Sequence, residues 1–390
     1  MIQKSHIVYC IFLIILCYLI WPWFFAKRFL FNELIAAIGI LTLVYKRFKV
    51  GSDTISICIM TLFIWGGVHC IISLFRMDSL YYYLRNMVIV YSVAAFFIGF
   101  YCLKYLDGFI RRVESLLKGI SSLSFIPLPK LLVERFNMST IFPALFRKAV
   151  HRNTLIWLIV FNIVYGIVYN AFTTHMLALF YVFLLVCPGY KFFKQTIIVG
   201  FLCFTAFFIY LQPHLSLISY GFDPRSYDAI FNVMHSNPIL SLDGNSTWRM
   251  VLWKQIIVDN FPANIFGKGF GTPVLKYFPV EDHNKLPDLP YVLGAHNSFV
   301  YLFGRLGIIY PLLIIVYYRS IFKEYFYQKQ YYYNNNQILL FWSFFSSTII
   351  AAFNPALESP IFATGYWLLL GFVARAIYNR KQISKHLSQP

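Results

Sequence analysis

Two arginines and two histidines in this chain have the types and spacing to do chemistry at a membrane edge. Arg249 lies in "TWRMVLW", His296 and Asn297 in "GAHNSFVYLFGRLG", Arg305 further along that run, and His175 in "NAFTTHMLALF". An imidazole titrates near working pH, so His296 suits a general base toward a sugar hydroxyl. The plainer reading of the same residue is an interfacial histidine that caps the next helix. A guanidinium near a helix start adds to the positive potential there and suits a phosphate or diphosphate. Arg249, expected in the first turn of a loop helix over 244–258, fits that role, and also fits contact with lipid headgroups. Arg305 falls roughly 12 Å deeper than Asn297 at 1.5 Å per residue. A charge at that depth is expensive and faces a cavity or a partner. The partner is either substrate or a carboxylate in the bundle, such as Glu33 or Glu358. His175 opens a span on the same face; alone it reads as structural, and its weight comes from convergence with Arg249 and His296.

Other chemistries lack their residues. The chain has no Asp-x-Asp pair, no HExxH or tight His/Cys cluster for zinc, and no phosphate-binding Gly-x-x-x-x-Gly-Lys loop. No metal and no cofactor is expected, and an outer-face reaction needs a substrate that arrives already activated.

The elements that must position these residues follow from composition. Of 390 residues, 59% are hydrophobic and only 12% charged, against about 25% charged in a soluble domain. The apolar residues come in blocks of roughly 17–22, the length a helix needs to cross a hydrocarbon core of about 30 Å. Backbone groups in hydrocarbon must be paired within their own segment, so the blocks are expected to be helices. The expectation is an all-α polytopic membrane protein with about 10–12 transmembrane helices and one large helical extracytoplasmic loop. The clearest spans are 7–25, 29–45, 54–75, 87–103, 154–171, 177–188, 195–211, 298–317, 337–353 and 361–378. The first is too long for a signal-peptide core and no Ala-x-Ala-like site follows it, so it reads as a retained span.

The formal charge of +18 follows the membrane rather than a nucleic acid. About two-thirds of the 33 lysines and arginines fall on one side of alternating spans. The positive-inside rule then puts both termini in the cytoplasm. The basic segment 104–153, broken by Pro127, Pro129 and Pro143, reads as amphipathic helices on the inner leaflet or as two more spans. All seven cysteines lie in or beside apolar blocks and read as small buried hydrophobes. Three zones result: 1–211 with the first helices, 212–297 as the outer loop, and 298–390 with the last helices and a short tail. In the loop, the helix over 244–258 has Asn245 or Ser246 as N-cap and Trp248, Val251, Leu252 and Ile256 on one stripe. "IFGKGFGTP" then makes a Gly-rich turn.

The order of these motifs resembles the O-antigen ligase and polymerase family: "TWRMVLW", then "GKGFG", then "AHNSFVYLFGRLG", then "FNPALESPIFATGYWLLLGFVAR". The resemblance covers about 245–375, a third of the chain. It implies a metal-independent membrane glycosyltransferase of the bacterial inner membrane. Such a protein takes a glycan from undecaprenyl diphosphate at the periplasmic face and gives it to the lipid A core (a ligase) or to another repeat unit (a polymerase). By that likeness Arg249 holds the diphosphate and His296 orients or deprotonates the acceptor hydroxyl. His175, Arg305, Asn297, Trp253 and Lys268 would contact substrate. The family's further arginine, in a Ser/Thr-rich run, falls on "TTH", where this chain has His175. Lipids are the only other partner expected, and no nucleic acid.

Two other classes remain open on sequence. A lipid-linked glycan flippase would be equally apolar and basic, but would spread its functional charges near the midplane. An acyltransferase using His296 with Asn297 would need that histidine on the cytoplasmic side. Impermeant thiol labelling of a His296→Cys variant in intact spheroplasts separates the last case. Modification from outside is expected, and protection would restore the acyltransferase.

Overall fold

The computed structural model describes residues 9–10, 14, 31–46, 54–117, 152–169, 172–186, 190–215, 227–242, 244–262, 264–275, 295–328 and 335–387. Most of the expected span at 7–25, the stretch 118–151 of the basic segment, and 216–226 and 276–294 of the outer loop lie outside them. All regular structure among the described residues is helical. The helices are α1 (Phe31–Tyr45), α2 (Thr54–Leu74), α3 (Leu80–Tyr91), α4 (Ala95–Leu117), α5 (Arg152–Tyr169), α6 (Phe172–Val186) and α7 (Tyr190–Leu211). After these come α8 (Tyr227–His235), α9 (Gly244–Asn260), α10 (Ser298–Leu306), α11 (Ile309–Gln328), α12 (Asn335–Phe353) and α13 (Pro360–Leu387).

Among the described residues, four stretches are long and apolar enough to cross a membrane: Thr54–Leu74, Leu80–Tyr105, Lys194–Leu211 and Pro360–Gln382. The apolar helices Phe31–Tyr45, His175–Leu184 and Leu340–Phe353 are shorter. On α7, Ile197, Phe201, Leu202 and Phe204 all face outward. A helix clothed in such side chains belongs in lipid. The chain is a helical membrane protein.

In hydrocarbon, helices gain little from apolar burial against one another, so close backbone packing and hydrogen bonds hold them together. The centre of this bundle is built that way. α4 lies along α13 with Gly99 facing Gly371: a Cβ at Gly99 would stand 2.2 Å from the Leu368 carbonyl oxygen, and one at Gly371 2.2 Å from that of Phe96. α1 joins them, Thr364 Oγ1 donating to Asn32 Oδ1 at 3.2 Å. Hydroxyls bridge the outer helices: Tyr181 with Ser346 at 2.7 Å, Tyr318 with Thr348 at 2.7 Å, and Tyr317 with Tyr366 at 3.0 Å.

One expected span is corrected. The apolar run at 298–317 is two helices, because α10 stops at Leu306 and α11 starts at Ile309. Gly307 has φ 72 and ψ −166, a combination open essentially to glycine alone. The last four carbonyls of a helix have no partner within it, and here each finds one outside. Phe303 accepts from the Gly307 N–H at 2.8 Å, Gly304 from that of Lys268 at 2.9 Å, and Arg305 from that of Gly269 at 2.9 Å. Leu306 accepts from the Trp65 indole of α2 at 2.8 Å. α11 then restarts with Pro311 in its first turn, where a missing N–H costs nothing.

The Gly-rich turn over 264–275 is therefore a plug seated between α2, α3 and α10. Ser73 Oγ accepts from the Phe270 N–H at 2.8 Å and Asn86 Oδ1 from that of Gly271 at 3.2 Å. The Gly271 carbonyl accepts from Asp78 and Ser79 at 3.1 and 3.2 Å. A Cβ on Gly307 would meet the Ile265 carbonyl oxygen at 2.3 Å. Gly307→Ala is expected to destabilise the purified protein by well over about 1 kcal/mol, read as a fall in Tm in detergent. An unchanged Tm would mean the plug is not seated there.

Candidate functional site

α9 presents one face to the bundle. Val251, Leu252 and Ile256 of the expected stripe are buried, and Trp248 is half-buried against the same core. Two details differ from expectation. The helix begins at Gly244, so Asn245 and Ser246 lie in its first turn and not at its cap, and Arg249 lies in the second turn. Arg249 therefore owes little to the positive end of its own helix, since that field fades within one turn. It turns instead to the negative end of another: Nη1 donates to the Phe353 carbonyl, the last residue of α12, at 3.2 Å. A guanidinium has five donors in a fixed fork, so an anchor at one of them sets the direction of the rest.

His296 meets this helix. Its ring stands edge-on to Trp248, 5.2 Å between centroids and 87° between planes. Its backbone is left-handed at φ 48, a conformation that costs a non-glycine residue on the order of 1–3 kcal/mol. The surroundings hold it there. On one side the Trp253 indole of α9 donates to the Ala295 carbonyl at 2.6 Å. On the other, Asn297 is the N-cap of α10, its side chain accepting from the Phe299 and Val300 N–H groups at 2.9 and 3.1 Å. Ser298 then locks the helix start to the α12–α13 turn. Its hydroxyl donates to the Asn354 carbonyl at 3.0 Å and accepts from the Leu357 N–H at 2.9 Å.

The structure thus brings Arg249, Trp253, His296 and Asn297 to one place, where α9, the start of α10 and the end of α12 converge. Lys268 and Arg305 belong to the plug below. The Lys268 ammonium donates to the Val274 carbonyl at 2.9 Å. Arg305, 3% exposed, donates through Nη1 to the Thr272 carbonyl and, at 3.1 Å, to that of Gly269. Its guanidinium also lies 5.0 Å from the Tyr301 ring centroid, close enough for cation–π attraction. The deep charge therefore has backbone carbonyls as partners rather than a carboxylate. Glu33 accepts from Tyr91 at 2.9 Å, and Glu358 feels Arg305 only across a longer gap. His175 is half-buried in the first turn of α6 and makes no hydrogen bond or ring contact among the described residues that would join it to the others.

Sequence reasoning missed the α12–α13 turn as a contributor to the site. Phe353, Asn354 and Leu357 take part through backbone groups, which leave no side-chain signature. Glu358, a carboxylate between two apolar runs, was the legible signal there. Among the described residues no group of three or more His, Cys, Asp or Glu side chains is placed to hold a metal ion.

Comparison with models of known protein families, with characterised proteins and with solved structures found no match for this chain.

Loss of the Asn297 cap should cost about 1 kcal/mol. Asn297→Ala is expected to lower Tm in detergent while Asn297→Asp, an equally good cap, holds it. Equal losses in both would assign Asn297 a role other than capping.

Proposed function

We propose that the chain is an O-antigen ligase-like glycosyltransferase. It moves a polysaccharide from undecaprenyl diphosphate to an acceptor, the lipid A core, at the periplasmic face of a bacterial inner membrane, with both termini cytoplasmic. The spans number 10–12, and the 212–297 loop is the periplasmic cap. The observation that carries this reading is the packing of the His296 ring on Trp248, whose chain neighbour Arg249 is anchored on the last carbonyl of α12, beside an apolar bundle. A donor with its lipid in the membrane and its sugar in water reacts at the edge of such a bundle.

The chemistry follows from charge. Transfer breaks the bond between the anomeric carbon and diphosphate, and the leaving group departs with its negative charge. A guanidinium aimed by its anchor at Phe353 can neutralise that charge without metal. His296, fixed by Trp248 and by the cap at Asn297, orients the attacking acceptor hydroxyl or takes its proton. Trp253, Asn297, Lys268 and Arg305 hold the frame around them through the bonds described above. By the resemblance His175 falls where the family has a further arginine, and no contact described above ties it to the other site residues.

A polymerase of the same family, joining repeat units instead of capping a lipid core, uses the same residues and differs in acceptor. The flippase alternative is less well supported. It calls for polar groups along a path near the midplane, whereas Arg305, the deep guanidinium in this region, is committed to the protein's own carbonyls.

Losing one charge-stabilising donor typically costs about 2.7–4 kcal/mol, a rate factor of about 10²–10³. Arg249→Ala and His296→Ala are each expected to abolish surface polysaccharide in a complemented deletion strain with normal protein levels in the membrane. Glycan stranded on the lipid carrier over bare lipid A core would indicate a ligase, and single repeats on the core a polymerase. Near-normal polysaccharide in either variant contradicts the assignment.

A further inference from the structure

We propose that Glu358, on the turn between α12 and α13, takes up the proton that the acceptor hydroxyl loses; this deepens the transferase reading above and rests on it. Glu358 directly follows the segment that ties the site together. The Phe353 carbonyl anchors Arg249, and Asn354 and Leu357 clasp Ser298, two residues from His296. The residue as a whole is half-buried, yet its Oε1 is enclosed and has no hydrogen-bond partner among the described residues. Buried polar atoms are nearly always satisfied, so this oxygen is placed to take a partner from beyond the described residues. At this place in the fold that partner is a substrate hydroxyl or the water that relays from one.

The groups facing Glu358 are few. Arg305 and Tyr301 approach from α10 and Arg85 from α3. None is an ion-pair partner among the described residues, so the carboxylate is tempered by positive charge but not locked by it. Burial pushes the Glu358 carboxyl up to about 8, while Arg305 and Arg85 pull it down. A carboxyl so raised exchanges its proton near working pH, which is what a general base requires. Because the folded protein binds this proton more tightly than the unfolded chain does, Glu358 supports folding at low pH. That support is lost as pH rises from the ordinary carboxylate range through about 8. An ionised, unpartnered carboxylate that weakens the fold in mildly alkaline solution is a group with a reason other than stability to be there.

The step balances without any further reagent. The acceptor O–H bond and the bond from the anomeric carbon to diphosphate break, and the new glycosidic C–O bond forms. The electron pair of the broken bond leaves with the diphosphate toward Arg249, and the proton goes to the Glu358 carboxylate. His296 then orients the hydroxyl and need not change its own protonation.

The test uses the full chain in proteoliposomes with an undecaprenyl-diphosphate-linked oligosaccharide and a lipid A core acceptor, with initial rates followed against pH. The wild-type rate is expected to rise through about 8. Glu358→Gln should lose that rise and fall by about 10²–10⁴-fold, and Glu358→Asp should recover part of both. Over the same pH range the Tm of Glu358→Gln should gain on that of wild type as pH increases, which also reports that the variant is folded. Transfer by Glu358→Gln with wild-type rate and pH dependence would overturn this proposal alone. A rise seen in both proteins near the ordinary histidine range would overturn it equally. No transfer by the wild-type protein would overturn the transferase reading and this one with it.

Discussion

A helix that ends inside a membrane bundle leaves carbonyls that water cannot reach, and everything near the candidate site depends on how α10 meets that constraint. Each unsatisfied buried carbonyl would cost about 1–3 kcal/mol. α10 answers with N–H groups brought from a distant part of the chain, those of Lys268 and Gly269, and with an indole from α2. Arg305 makes the exchange reciprocal: its carbonyl accepts from Gly269, and its guanidinium donates back to the Gly269 and Thr272 carbonyls. Backbone and side chain of one residue thus hold one turn from two directions.

The consequence for function is mechanical. α9 and the plug are consecutive along the chain, so fixing the plug against α2, α3 and α10 limits where α9 can lie. With α9 placed, Trp253 reaches the Ala295 carbonyl and Trp248 meets the His296 ring. His296 can then be kept in a left-handed backbone conformation that it would otherwise leave. The strained residue and the arginine anchored on α12 are the two features a diphosphate-leaving transfer would use. Both rest on the helix break at Gly307, which lies outside the site itself.

Much of this was legible in the sequence, and the reasons for the rest are specific. The membrane class, the helical blocks within the described residues apart from the one at 298–317, and the buried stripe of α9 followed from hydropathy and period. Counting crossings grouped Arg249, His296 and His175 on one face; the structure joins the segments of the first two through Trp248 and the end of α12 and shows no contact that joins His175 to them among the described residues. The break at Gly307 was not legible, because an apolar run of span length hides a two-residue interruption, although the glycine followed by Pro311 carries the usual stop and restart marks. The partners of Arg305 were hidden for a related reason. A buried guanidinium suggests a carboxylate partner, while its real acceptors are carbonyls of a glycine-rich turn, invisible to any reading of side-chain chemistry. The clasp at Ser298 was hidden in the same way, since its partners on the α12–α13 turn are backbone groups.

The central claim is that the rim where α9, α10 and α12 meet moves a glycan off a diphosphate carrier. The most direct measurement is a single reaction with purified wild-type protein in sealed proteoliposomes containing EDTA, given labelled undecaprenyl-diphosphate-linked oligosaccharide and lipid A core. The account predicts a new covalent glycan–core product, released carrier diphosphate in equal amount, and indifference to the chelator. Labelled donor that changes leaflets with no new bond formed would contradict it and make the protein a transporter.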